Sequence, residues 1–492
     1  MKINSVGSKE KAKHCIEQAI KEIPAYKKFL AECGKTGQEA FELLPCTDKK
    51  NYITKYPLQE LMPLPLKNSA AIFASSGSSS SGKEPFYWPY TREQLDVTAI
   101  TEQVLTKLFS TDKKSTLIID ALPLGSWIGG DTLSCAFKML SIKKGMEYTS
   151  IITGTSLDEI VMLLRRFNDQ YEQILMIMDS TAFAHLILMA DSAKLELPFE
   201  KMRYAFFEEG FPEDFRIALQ KRAKVEETEP VAFSIYVSSD TGPLGMESPA
   251  SVALRKLCFQ NQKFAEHMGI KPDFPHFFHV ASDGYIECVN DELWITKWQG
   301  LPLLRYNLCD QTYLYSWVET QKEVKKFNFT LPNEQKLAAL VTQAPSQLPN
   351  LLIMFGRSDS MINFGGNKIY EYMFDDTIRS EELSKYLTGV YEVKLSYHDG
   401  HPYLDFLVEL KENVRSDPGT VHQIENLIEK KLAEVCPDFA YDIEEFYEHR
   451  VKALGLKFVK AVTVPWPTLS NKIETEIKLR GIKRDPKEKK DQ

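Results

Sequence analysis

The chain lacks a long apolar run, an excess of basic charge and closely spaced cysteines, and each absence removes a class of protein. Its most apolar stretch, ILMIMDSTAFAHLILMA, is interrupted by Asp179 and His185, whereas a membrane span needs about 20 consecutive apolar residues. The opening residues, MKINSVGSKEKAKH, have no apolar core of the kind a secretory signal carries. The eight cysteines, from Cys15 to Cys436, are scattered without a CxxC pair, so neither a disulfide framework nor a zinc ribbon is indicated. The formal net charge of -8 weighs against a nucleic-acid partner. Only the tail KLRGIKRDPKEKK is basic. A cytoplasmic protein with no membrane or nucleic-acid partner is expected.

What the chain does have is material for a core. Of its 492 residues 43% are hydrophobic and 11% aromatic, which places it among globular proteins rather than disordered ones. That length exceeds one ordinary core. Two domains are expected, one of them large and compound.

Hydrophobic periodicity supplies the order of elements. KEKAKHCIEQAIKEIPAYKKFLAEC repeats at helical spacing with Pro24 interrupting it, which predicts two helices. Residues 115–123, STLIIDALP, and 171–179, YEQILMIMD, read as buried strands. Between them, SLDEIVMLLRRF reads as a helix that Ser156 caps, three residues before Glu159. Such alternation predicts α/β layering with at least partly parallel sheets. KMRYAFFEEG and PVAFSIYVSSDTG each pass from an apolar strand into a polar turn, where α/β sheets place ligand-binding groups. Lys322 to Asn350 reads as a surface excursion with one structural helix. Beyond residue 356, VYEVKLSYHDGHPYLDFLVEL reads as a hairpin about Asp399 and Gly400, followed by the helix VHQIENLIEKKLAEV and the strand LKFVKAVTVPW. The expected fold class is α/β. A large multi-layer N-terminal domain with mixed sheets, residues 1–355, is joined by a hinge to a small mobile α+β domain, residues 356–492.

The stretch FASSGSSSSGKEPFYWPYT raises the question of function. From Gly77 to Lys83 it satisfies GxxxxGK, the core of a Walker P-loop, but position 84 is Glu where that motif needs Ser or Thr. A P-loop also starts a helix at its lysine. Here Pro85 and the aromatic run FYW favour a strand, and the next helix is expected at Thr91 with Gln94 completing a capping box. A serine linker is the bland alternative. The remaining reading is a Gly/Ser turn between two strands whose amides and hydroxyls wrap a phosphate chain.

That arrangement resembles the adenylate-forming superfamily of acyl- and aryl-CoA ligases, luciferase and adenylation domains, and within it the phenylacetate-CoA ligase-like branch. SSGSSSSGKEP followed by YTREQLD is similar to the phosphate loop, longer by a few residues than the family norm. YVSSD, 236–240, resembles the YGxTE-type motif, with Val237 in place of Gly and Asp240 in place of Glu. FFEEGFPEDF resembles the turn lining the adenine and acyl pocket. ELWITKWQGLPLLRYNLCDQ matches ELxxT followed by RYRTGD, with Cys309 in place of Gly. GRSDSMINFGGNKI is similar to the GRxD motif that ends the large domain, and PTLSNKIETEIK to PxTxSGKIxR, with Asn471 for Gly. The motifs follow in the family's order.

The resemblance implies residue roles. Ser76, Gly77, Ser78, Ser79, Gly82 and Lys83 would wrap the phosphates. Glu209 and Gly210 would line the adenine turn, and Tyr236 would stack on the adenine. Ser239 would touch the α-phosphate and Asp240 would help hold Mg2+. Asp310 and Arg357 would take the ribose, and Asp359 would be the hinge. Lys472 would be the adenylation lysine. Trp127, Gly129 and Gly130 stand where the family lines its acyl pocket, although a core tryptophan is nearly as good a reading of Trp127.

Each residue alone has a structural reading: Tyr236 as a core tyrosine, Asp310 as a turn acid, Lys472 as a solvated lysine. His276, His279 and Cys288 hint at metal spacing, but the cysteine pair that accompanies zinc in some relatives is absent. The implied reaction is ATP-dependent activation of a carboxylic acid as an acyl-adenylate, then transfer to coenzyme A with release of AMP. Transfer to a separate carrier protein or to an amine is the alternative, and a nucleotide-binding protein without chemistry is a third. A homodimer is a further implication of the branch.

Overall fold

The computed structural model describes residues 1–75, 86–180, 182–183, 186–187, 190, 194–207, 210–211, 213–270, 275–357, 361–364, 367–398, 401–436, 439–440, 458–470 and 481–482. Contacts divide the chain into two units. One comprises Met1–Ser180, Pro198–Gly269 and Pro275–Met354; the other comprises Thr181–Leu197, Ile270–Phe274 and Phe355–Gln492.

The first unit is built on a mixed sheet. Five strands, in the spatial order Ala232–Ser238, Met202–Phe207, Gln173–Met178, Thr116–Asp120 and Tyr148–Ile152, are mutually parallel. The central strands Thr116–Asp120 and Gln173–Met178 are buried throughout, as expected where crossover helices cover a parallel sheet. Ile128–Lys144, Leu157–Phe167 and Glu213–Arg222 are such crossovers. The chain leaves Thr116–Asp120 for Tyr148–Ile152 on one side and resumes at Gln173–Met178 on the other. Topological switch points of this kind place ligands at the carboxyl ends of the strands.

From Ala232–Ser238 outward the sheet continues antiparallel through Gly242–Met246, His276–Val280 and Leu351–Arg357. Leu303–Tyr315, Glu292–Lys297 and Tyr285–Val289 complete it towards the N-terminal edge. A separate hairpin, Ala71–Ser75 with Phe86–Tyr90, flanks residues 76–85. The two N-terminal helices are Lys9–Glu22 and Pro24–Glu32, broken where Pro24 takes the first helical position.

Residues 322–350 contain the expected helix and remain largely exposed or half-buried, with a few buried side chains. Lys322–Lys326 closes the helix Trp317–Lys326, and Pro332–Gln343 is a second helix. Trp317, Val324, Leu337 and Val341 are buried and attach both helices to the rest of the unit. The one element not anticipated is the end of Trp317–Lys326, whose last residues are mostly charged.

The second unit has its own sheet. Leu387–His398 and His401–Leu410 form the expected antiparallel hairpin, whose turn at 399–400 lies outside the described residues. Val459–Val464 runs parallel to His401–Leu410, and Pro418–Val435 lies against that sheet through Ile424, Ile428 and Leu432. Phe374, Tyr391, Phe406 and Phe458 fill the same core.

Candidate active site

The site is assembled from loops at the ends of distant strands. Phe86–Tyr90 leads to Thr91, which caps a helix beginning at Arg92, and the Thr91–Gln94 capping box is present as expected. A Walker loop would need a helix in place of the strand at Phe86. Ser76, Gly77, Ser78, Ser79, Gly82 and Lys83 themselves lie outside the described residues. The strand before them is anchored, because Ala74 donates its amide to the Ser126 carbonyl at 2.8 Å. That bond ties the hairpin to the loop holding Trp127, which is half-buried as N-cap of Ile128–Lys144.

Gly129 is half-buried and Gly130 buried in the first turn of that helix. Gly130 permits a close backbone approach, since a Cβ there would stand 2.6 Å from the Pro123 carbonyl oxygen. At the end of the preceding strand Asp120 is fully buried. Its Oδ1 accepts the Leu122 amide at 3.2 Å, and burial pushes its carboxyl up to about 7.

Tyr236, Ser239 and Asp240 follow one another from strand to turn. Tyr236 lies in Ala232–Ser238 with its ring 5.5 Å from that of Phe278, tilted by 31°. Its hydroxyl donates to Asp310 Oδ2. Beyond the strand, Ser238 Oγ accepts the Thr241 amide at 3.2 Å, and Gly242 turns the chain back with φ 73°. Three further donors fix the turn. Tyr90 donates its hydroxyl to the Ser239 carbonyl at 2.9 Å, Gln299 donates to the Asp240 carbonyl at 2.7 Å, and Tyr306 donates to Asp240 Oδ2 at 2.6 Å. Burial, and then the Asp240 charge, raise the Tyr90 hydroxyl above its ordinary value, keeping it a donor.

Asp310 is buried at a bulge of Leu303–Tyr315, where Glu292 pairs with Gln311 but Trp294 pairs with Asn307. The bulge needs a left-handed residue, and Cys309 supplies it with φ 60°. A side chain in that region costs about 1 kcal/mol or more, which accounts physically for the glycine of the resembled motif. Asn307 offsets part of the cost by accepting the Cys309 amide at 2.8 Å.

The turn at Gly210 rests on a network that the sequence does not announce. Phe211 donates its amide to His276 Nε2 at 3.0 Å, and Arg255 donates to the Phe211 carbonyl at 2.7 Å. On its other nitrogen, Nδ1, His276 meets Glu247 at 3.2 Å, and Glu247 takes two hydrogen bonds from Arg216 at 2.9 Å each. Glu213 pairs with Arg216 at 3.3 Å and with Arg255 at 3.2 Å. All five charged or ionisable side chains are buried. Burial lowers His276 to about 4, with Arg255 adding to the effect, so the ring is neutral. Its Nε2 therefore accepts and its Nδ1–H faces Glu247. Burial alone would raise Glu247, but Arg216, His276 and Arg255 hold it at about 2.

The metal spacing suggested by His276, His279 and Cys288 finds no cluster: among the described residues no three His, Cys, Asp or Glu side chains are grouped to hold an ion. His279 instead bonds the Pro349 carbonyl and Ser248. All eight cysteines are free thiols. No described helix is long and apolar enough to cross a membrane.

No protein-family model and no curated protein matches the sequence. Solved structures do. A 2-hydroxyisobutyryl-CoA ligase in the postadenylation state, in complex with R3-HIB-AMP, aligns at TM-score 0.59 and 12% identity over 98% of this chain and 91% of that one. The GH3.15 acyl acid amido synthetase aligns at 0.57 and 10% identity over 95% and 88%. The chain has the fold of the adenylate-forming enzymes. Within that fold, Tyr236 is bonded to Asp310, while Asp240 and Ser239 are held separately by the Tyr306 and Tyr90 hydroxyls. Arg357 is described only as the last residue of its strand. Glu209, Asp359 and Lys472 lie outside the described residues.

Proposed function

We propose that the protein activates a carboxylic acid with ATP, forming an acyl-adenylate and pyrophosphate, and then transfers the acyl group to coenzyme A with release of AMP. The observation carrying this reading is the pair of hydrogen bonds by which the Tyr236 hydroxyl meets Asp310 and the Tyr306 hydroxyl meets Asp240, set in the adenylate-forming fold. A ring bonded to a buried carboxylate suits a nucleoside, the ring stacking on the base and Asp310 accepting from the ribose hydroxyls.

Asp240, a half-buried carboxylate oriented by Tyr306, fits Mg2+. That ion takes one or two protein carboxylates and completes its octahedron with phosphate oxygens and water. When bound, Mg2+ would neutralise phosphate charge. The serine loop from Ser76 to Lys83 would wrap the phosphates, and Lys472 would approach the attacking carboxylate and the α-phosphate. Residues 1–355 would form the large domain and 356–492 the mobile one, with Asp359 as hinge. Trp127, Gly129 and Gly130 would border the acyl group, and the branch resemblance favours an aryl or arylacetic acid. Cytoplasmic placement and a homodimer belong to the same reading.

One observation favours a second acceptor. An acyl acid amido synthetase aligns nearly as well as a CoA ligase, so an amine, or a carrier-protein thiol, is the alternative. Pyrophosphate exchange across a panel of carboxylic acids, followed by acceptor assays with coenzyme A, amines and carrier proteins, tests both. Acid-dependent exchange and thioester formation are expected. Exchange without any acid requirement would overturn the activation step, and amide formation without thioester formation would replace the first acceptor by the second.

A further inference from the structure

Among the described residues of the C-terminal unit, the carboxylate of Glu409 on His401–Leu410 is completely buried. Its Oε1 accepts the Leu469 amide at 2.7 Å and the Ser470 amide at 2.9 Å. Oε2 accepts the Thr388 hydroxyl at 2.9 Å and the Ser470 hydroxyl. Among the described residues no ion pair reaches it. Removing a carboxylate from water is costly unless donors replace the lost hydration. Four donors do so here, two of them consecutive amides, a concavity suited to an anion.

The route of the chain explains what this arrangement holds. Val459–Val464 runs beside His401–Leu410 with Val464 opposite Glu409. A turn follows, closed by the Thr468 amide on the Pro465 carbonyl at 3.0 Å. The chain then meets Glu409 at Leu469 and Ser470. Three of the four donors therefore come from the two residues at which the chain passes into the segment bearing Lys472. Lys472 follows Ser470 by two residues in the sequence.

We propose that Glu409 is a positioning residue for the adenylation step: its carboxylate fixes Leu469 and Ser470, directly before the segment that carries the lysine assigned to that step. The proposal rests on the reading of Lys472 given above. It needs no contact between Glu409 and any substrate. It predicts an effect confined to the half-reaction that uses the lysine.

The test compares half-reactions in the full-length protein. Glu409→Ala is expected to lower acid-dependent pyrophosphate exchange about tenfold or more, as for loss of a charged hydrogen-bond acceptor. Thioester formation from supplied acyl-adenylate should stay within about twofold of the native rate. Glu409→Gln, which retains the shape and one acceptor, should recover most of the exchange. Equal loss of both half-reactions in Glu409→Ala would make the residue merely structural and overturn the proposal. Lys472→Ala run in parallel separates the proposal from the reading beneath it. If that variant collapses exchange and Glu409→Ala does not, the proposal falls and the reading stands. If Lys472→Ala leaves exchange intact, the reading falls and the proposal with it. Should Glu409→Ala fail to fold, Ser470→Ala removes one hydroxyl donor and keeps both amides. A loss of about threefold confined to exchange would support the proposal, and no loss, or equal loss in both steps, would overturn it.

Discussion

Tyr236 donates its hydroxyl to Asp310, 74 residues further along the chain, while Tyr306 donates to Asp240 in the opposite sense. The two bonds lace the strand Ala232–Ser238 and its turn to Leu303–Tyr315. They orient the acid assigned to the ribose and the acid assigned to the metal.

Asp310→Ala should weaken the apparent ATP affinity in pyrophosphate exchange by about tenfold to a hundredfold, the scale of hydrogen bonds to a charged group. The apparent affinity for the acid should change little. Tyr236→Phe keeps the ring and loses the hydroxyl, so a smaller loss in the same parameter is expected. An unchanged ATP affinity in Asp310→Ala would place the ribose elsewhere.

Lys472→Ala should reduce acid-dependent adenylation by about a hundredfold to a thousandfold, the usual scale for one transition-state contact. It should still pass a supplied acyl-adenylate to the thiol. Lys83→Ala should be clearly milder. The reverse ranking in exchange assays would restore the Walker reading of the serine loop and remove Lys472 from its role.

Acid pH should destabilise the fold well before general carboxylate protonation. Burial holds His276 and His279 at about 4, whereas unfolded histidines take up protons near 6.5. Between those values the unfolded chain binds more protons, so stability rises with pH across that window and falls on acidification, by on the order of a few kcal/mol per histidine. Asp120, raised to about 7 by burial, acts in the opposite sense, since its folded form retains a proton that the unfolded form has released above about 4. Asp120→Asn should therefore stabilise the protein most at pH 8 and scarcely at pH 4. Denaturant midpoints for both proteins at several pH values check this. A native midpoint that does not fall between pH 6.5 and 4.5, or an Asp120→Asn effect independent of pH, would contradict it.

Gly130→Ala should destabilise by about 1 to 3 kcal/mol, the range for overpacking, because the new methyl meets the Pro123 carbonyl oxygen rather than a side chain that can turn away. Thermal melting measures the loss. A neutral result would mean that the loop before Trp127 yields.

Much of the local structure was legible because it is specified over a few residues. The cap at Thr91, the cap at Ser156 and the break at Pro24 each depend on side chains within three or four positions of a helix start. The α/β layering follows from alternating periodicities, and the order of motifs from the strand ends that carry them. In residues 322–350 the helix at Pro332–Gln343 was legible, whereas the end of Trp317–Lys326 was not, because its last residues are mostly charged. The network of Arg216, Glu247, Arg255 and His276 was missed for a different reason. Its members are dispersed charges whose burial is decided by the strands and helices around them, and no spacing in the sequence marks them as partners.

By itself, then, the sequence determined the elements, their caps and the residue types offered at each strand end, since these depend on near neighbours and on the periodicity of burial. The tertiary structure alone decided that Tyr236 meets Asp310, that Cys309 takes the left-handed conformation at a bulge, and that Glu409 receives the amides of Leu469 and Ser470. Such pairings depend on sheet register and on the exclusion of water from a polar group, and both exist only once distant strands have closed on one another.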